Sequence, residues 1–140
     1  MELTEKEFCE LAKAFTEESG WSLTYNEERA KQLYAGYVND ENTVFMITRK
    51  EDEVIAGAVL VLDYMCNEEP FGFIAKFYVR PEYRNGKESA KLMRSCNEWF
   101  DSKGVVACFS SPFAKIDDAA ARKLMERFGY NNKLQMLYRS

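Results

Sequence analysis

Apolar positions recur along this chain with two periods, and the change from one to the other divides it. Near the start, Phe8, Leu11, Ala12 and Phe15 repeat at a helical interval. Thr4 and Glu7 precede them with capping-box spacing, and Ser19-Gly20 supplies a stop. A second helix is expected from Asn26, with Ala30, Leu33, Tyr34, Tyr37 and Val38 on one face. After a polar turn at residues 39–42 the pattern turns to β-branched and aromatic runs. Residues 43–48 and 54–65 read as an antiparallel hairpin about a charged turn at residues 50–53. Residues 67–70 make the next turn, and "FGFIAKFYV" alternates as a strand.

The helical period then returns. Leu92, Met93, Cys96, Trp99 and Phe100 mark a helix that stops at Gly104. Residues 105–109 read as a short buried strand and 110–116 as a loop. Asp117 and Asp118 cap a helix carrying Ala121, Leu124, Met125 and Phe128, closed by Gly129, and residues 133–138 form a last strand. With no repeat, low-complexity stretch or linker, residues 1–140 are expected to form one α+β domain with a mostly antiparallel sheet.

Composition narrows the chemistry. The 140 residues are 46% apolar and 30% charged, an ordinary globular balance. The net charge of −4 argues against nucleic acid as a partner, since phosphate contacts need a basic face. No apolar run approaches a membrane span, and the polar, acidic start does not resemble a secretory signal, so a cytoplasmic protein is expected. The four cysteines, Cys9, Cys66, Cys96 and Cys108, show no paired spacing and are expected as free thiols. The chain has no histidine. That removes Ser-His-Asp and Cys-His nucleophiles and histidine-ligated metals, and no metal is expected. Proton transfer falls to other side chains or to water.

The stretch "YVRPEYRNGKES", residues 78–89, concentrates cations and a glycine where a strand hands over to a helix. Amides at a helix start, aided by the dipole, form an anion site. Gly86 permits close approach of a ligand, and Arg84 and Lys87 add charge. A Walker A loop is excluded, because Pro81 and Glu88 stand where it needs Gly and Ser or Thr.

This segment resembles the acyl-CoA-binding motif of the GNAT acetyltransferase superfamily, "V-x-P-x-x-R" before a glycine-rich turn, through Val79, Pro81 and Arg84. Downstream, "DAAARKLMERFGY" is similar to the family's "N-x-x-A-x-x-L-Y-x-x-x-G-F", with Ala121, Leu124, Gly129 and Tyr130 in register. The resemblance implies a GNAT fold with helices on both faces and a fourth strand splayed from the fifth. It implies an acyl-CoA-dependent N-acetyltransferase with acetyl-CoA as co-substrate. Phe77, Tyr78 and Val79 would meet the pantetheine arm. Arg84, Asn85, Gly86, Lys87, Glu88 and Ser89 would hold the pyrophosphate.

The chain departs from the motif at several places. Lys87 stands where a glycine is usual, Met125 where a general-acid tyrosine is usual, and Asp118 where an asparagine is usual. The strand 71–79 lacks the carboxylate that many relatives carry, which leaves Glu68 and Glu69 at the preceding turn as candidate bases. Ser110, Ser111 and Tyr138 are polar candidates at strand ends, and Tyr138 is taken as catalytic with the two glutamates. The family's first strand is reduced to "MEL", a trimmed form similar to short bacterial and phage members. The expected acceptor is an amine of a small molecule or protein. Trp21, Tyr25, Tyr34 and Tyr37 are candidates for its pocket or for a homodimer contact. The alternative expectation is a catalytically silent GNAT-fold binding or assembly module.

Overall fold

The computed structural model of the protein describes residues 2–84, 86–110 and 119–130. The elements run α1 (Glu5–Glu18), α2 (Glu27–Val38), β1 (Thr43–Lys50), β2 (Glu53–Asp63), β3 (Phe71–Val79), a 3-10 turn (Pro81–Tyr83), α3 (Lys87–Ser102), β4 (Cys108–Ser110) and α4 (Ala119–Arg127). The sheet order is β1-β2-β3-β4, antiparallel except for β3–β4. It is the expected α+β arrangement with a mixed, mostly antiparallel sheet. The expected strand at 133–138 and the capping pair Asp117-Asp118 lie outside the described residues.

Local chemistry sets the helix starts. Thr4 Oγ1 accepts from Glu7 N–H at 3.2 Å while Glu7 Oε1 accepts from Thr4 N–H at 3.0 Å, a complete capping box. Asn26 Oδ1 caps α2 by accepting from Arg29 N–H at 2.9 Å. Glu7 also takes Arg49 of β1 in a two-pronged pair, with Arg49 Nη2 at 2.9 Å from Oε1. The Arg49 hydrogen bonds, and then the Thr4 amide, hold the Glu7 carboxyl down at about 2.

Two apolar clusters lie on opposite faces of the sheet. On one, Phe8, Cys9 and Leu11 of α1 and Ala30 of α2 pack on Val54, Val59 and Tyr78. An aromatic group seats these helices on β1: Phe45 stacks on Tyr34 at 5.7 Å and meets Tyr37 edge-on at 6.0 Å. Tyr34 Oη donates to the Leu3 carbonyl at 2.6 Å. On the other face, Leu92, Met93, Cys96 and Phe100 of α3 cover Ala56, Ala58, Leu60 and Ile74. β2 is buried from Val54 through Leu60 because both faces are covered. Gly72 lets Phe100 cross close above β3, since a Cβ there would sit 2.7 Å from the Phe100 ring.

α4 joins this second layer through Leu124, Met125, Phe128 and Tyr130. Asn97 of α3 ties it in place, donating from Nδ2 to the Phe128 carbonyl at 3.3 Å and accepting from Tyr130 Oη at 3.2 Å. No described helix is long and apolar enough to cross a membrane.

Candidate active site

The site begins with a defect in strand pairing. Val59 of β2 pairs with Lys76 and Leu60 with Ile74, so Ala75 is an extra, unpaired residue on β3. A bulge of this kind increases twist and re-aims the strand beyond it. On the opposite edge β4 pairs with β3 only from Gly72 to Ile74. Past the bulge, Arg80 N–H donates to the Ile55 carbonyl at 2.9 Å, which fixes the direction of alternation. Tyr78 therefore turns its backbone groups toward β2, and Phe77 and Val79 turn theirs away from it. No described strand takes the Phe77 and Val79 edge.

That edge runs into an uncapped helix. Gly86 is the N-cap of α3 and offers no side chain, so the first-turn amides of Lys87, Glu88 and Ser89 have no intrahelical partner. Gly86 is extended, at φ −112° and ψ −170°, a conformation open to any residue. A Cβ there would meet Glu88 Oε2 at 3.1 Å and the Tyr83 carbonyl at 3.6 Å. The Glu88 carboxylate thus stands close to the turn. Arg84 is already engaged: Nε donates to the Val79 carbonyl at 2.8 Å and Nη2 pairs with Glu18 of α1 at 2.7 Å. Its guanidinium also lies 5.5 Å over the Tyr78 ring.

On the α1/α2 face of the same strand opens a cleft of about 330 Å³. Phe15, Leu23, Tyr25 and Leu33 line it from the helices and their connection, and Lys76 and Tyr78 from β3. Lys76 Nζ lies 6.0 Å over the Phe15 ring, and burial lowers its pKa. Burial, and then the Cys9 thiol, push the Tyr25 phenol up to about 12. The Tyr25 hydroxyl is buried without a hydrogen-bond partner.

Residues 6–130 match the acetyltransferase (GNAT) family. The chain belongs to this family, and it is an acyltransferase of the GNAT type. Solved GNAT structures share its fold. The aminoglycoside 6′-N-acetyltransferase of Acinetobacter haemolyticus is 19% identical, with a TM-score of 0.72 over 96% of this chain and 90% of its own. An aminoglycoside N-acetyltransferase solved in complex with CoA is 14% identical, with a TM-score of 0.76 over 97% of this chain and 87% of its own. An acetyltransferase of Trypanosoma brucei is 15% identical, with a TM-score of 0.73 over 99% and 95%. No curated protein matches the chain by sequence at a significant level.

Within this GNAT frame the expected site residues fall into groups. Phe77, Val79, Arg84, Gly86, Lys87, Glu88 and Ser89 follow one path from the strand edge to the helix start, whereas Tyr78 turns its backbone groups to β2 and lines the cleft. Asn85 belongs to that path by sequence but lies outside the described residues, as do Ser111 and Tyr138. Glu68 and Glu69 are exposed in the β2–β3 connection. They sit at the far end of β3, roughly 25 Å from Val79 by strand length. The structure does not bring them to the cradle. Met125 is half-buried and packs with the α3 layer, and a thioether cannot donate a proton. Cys108 lies on β4, where burial raises its thiol pKa. Lys76, the single charged residue in "FGFIAKFYV", also lines the α1/α2 cleft.

Proposed function

We propose that this GNAT chain binds acetyl-CoA along the open edge of β3 and at the start of α3, and transfers the acetyl group to an amine held in the α1/α2 cleft. The observation that carries the reading is the continuous Phe77–Val79 edge. It has no described strand partner and leads directly into the uncapped amides of Lys87, Glu88 and Ser89. Outward backbone groups suit the amide-bearing pantetheine arm. The helix start suits the pyrophosphate.

The chemistry follows from what the chain supplies. A neutral amine attacks the thioester carbonyl carbon and forms the C–N bond. The carbonyl oxygen takes up negative charge, for which an outward amide of the β3 edge, near Val79, is the donor. The C–S bond then breaks and the pair stays with sulfur. The proton lost by nitrogen passes to water, because no carboxylate is among the described residues lining the cleft. The thiolate leaves without help from Met125. Holding both reactants on one strand supplies the main advantage.

Calorimetry with acetyl-CoA and with free CoA tests the binding step, and thiol release with an amine panel tests transfer. Saturable binding of both, and release that depends on amine, is expected. Absence of acetyl-CoA binding overturns the proposal. Binding without turnover on any amine makes the chain a silent binding module.

A further inference from the structure

β1 is an outer strand of the described sheet, and β2 covers one of its two edges. Leu62 N–H donates to the Asn42 carbonyl at 2.8 Å, which fixes the alternation along β1. Val44, Met46 and Thr48 therefore turn their backbone groups to β2, and Phe45 and Ile47 turn theirs outward. Among the described residues, no backbone group pairs with those outward amides and carbonyls. The residues ahead of α1 are engaged elsewhere: the Glu2 carbonyl accepts from Arg49 Nη2 at 2.9 Å and the Leu3 carbonyl from Tyr34 Oη at 2.6 Å.

Edge strands are ordinarily blunted by charge or proline. Residues 43–48, "TVFMIT", hold neither and are only half-buried. Charge is set instead at the two ends, with Asp40 and Glu41 in the turn before β1 and Arg49 and Lys50 at its close. The acidic end and Lys50 are exposed, and Arg49 is held by Glu7.

We propose that this edge pairs antiparallel with β1 of a second copy of the chain, about a two-fold axis at Phe45. The strand is self-complementary in that register. Phe45 faces its own counterpart and exchanges two backbone hydrogen bonds with it, an aromatic pair across the axis. Ile47 N–H reaches the Thr43 carbonyl, and Val44 opposes Met46. The Asp40–Glu41 end of each copy meets the Arg49–Lys50 end of the other, with Asp40 opposite Lys50. Moving the axis to Met46 would set Glu41 against Glu51 and Asp40 against Asp52, and like charges directly opposite are destabilising. An axis at Val44 would leave Lys50 opposite Val38. The charge pattern thus selects one register and, with it, one partner.

Sedimentation velocity across a concentration series, with hydrogen exchange of the Phe45 and Ile47 amides, tests this. The chain is expected to dimerise, and the two amides to gain protection as concentration rises. Lys50→Glu acts at both ends of the dimer and should weaken it roughly tenfold. Asp40→Lys should do the same, and an equal mixture of the two variants should dimerise more tightly than either alone, because each reversed end then meets its complement. Asp40 also accepts from Asn42 N–H at 2.9 Å and Thr43 Oγ1 at 3.0 Å within its own turn. Asp40→Asn keeps an acceptor for that turn and should give a smaller rescue of Lys50→Glu in the same mixture. A monomer at every concentration, amides protected equally at every dilution, a dimer untouched by Lys50→Glu, or a mixture with neither rescue overturns the inference. None of these results bears on acetyl-CoA binding, which is measured separately.

Discussion

Replacing Arg84 with alanine separates two roles that one guanidinium can fill. Arg84 donates to the Val79 carbonyl at 2.8 Å, pairs with Glu18 at 2.7 Å and covers the Tyr78 ring. Side chains of Arg84 and Glu18 are 39% and 36% exposed, so the ion pair itself is screened and contributes about 0.2–1 kcal/mol. The bond to Val79 is partly buried and belongs at the low end of the roughly 1.5–3 kcal/mol range for charged hydrogen bonds. Because these contacts share one group, Arg84→Ala should cost about 1–2 kcal/mol. For a chain of this size that lowers the Tm by roughly 3–8 °C in ligand-free scanning calorimetry. Acetyl-CoA affinity should fall by no more than about fivefold, since the guanidinium is already engaged and acts by holding the end of β3 to α1. Glu18→Gln should reproduce part of the stability loss without weakening acetyl-CoA. An unchanged Tm with a 10–100-fold loss of affinity would refute this assignment and return Arg84 to the phosphate.

Other consequences are equally open to measurement. Glu88 places a carboxylate beside the turn at Gly86, where it opposes an incoming pyrophosphate. Glu88→Gln should tighten acetyl-CoA binding about fivefold at low salt, a gain of about 1 kcal/mol that shrinks at high salt, by calorimetry. The Arg49 guanidinium holds the Glu7 carboxyl down at about 2 in the folded protein, against an ordinary 4.5, so its stabilisation is complete above about pH 4.5 and is lost as pH falls toward 2. Tm measured from pH 6 to pH 2 should fall less steeply in Glu7→Gln than in the unchanged protein. Gly72→Ala would set a methyl 2.7 Å from the nearly fully buried Phe100 ring and should destabilise by about 1–3 kcal/mol, seen as a lower denaturant midpoint.

Local chemistry made much of the fold readable in the sequence. Thr4 with Glu7, Asn26, and glycines 104 and 129 at positive φ act through neighbours a few residues away, and each boundary follows from them. Departures arise where distant packing decides. Residues 105–109 have the composition of a buried strand, yet β4 is Cys108–Ser110. Val105 N–H instead donates to the Phe100 carbonyl and Val106 N–H to Pro70, closing the end of α3 over Gly72. Val106 is exposed, so the run is neither buried nor a strand along its length, and an apolar run alone does not tell such a crossing from a strand. β2 likewise ends at Asp63, leaving Tyr64 and Met65 exposed.

The strand edge, turn and helix start proposed to hold the cofactor were legible because they are consecutive in sequence. The partner of Arg84 was not, since Glu18 lies 66 residues away. The contact of Lys76 with Phe15 was not legible either, since it forms only when β3 is laid against α1. The placement of Glu68 and Glu69 likewise depends on β3, which carries the chain from their turn through the bulge at Ala75 to Val79.

Backbone amide shifts by NMR, with and without acetyl-CoA, test the central claim most directly. The account predicts that saturating acetyl-CoA shifts and protects the amides of Phe77 and Val79 on β3 and of Lys87, Glu88 and Ser89 at the start of α3, while β1 stays unmoved. Saturable binding that leaves those five amides unchanged, or no binding at all, would contradict it.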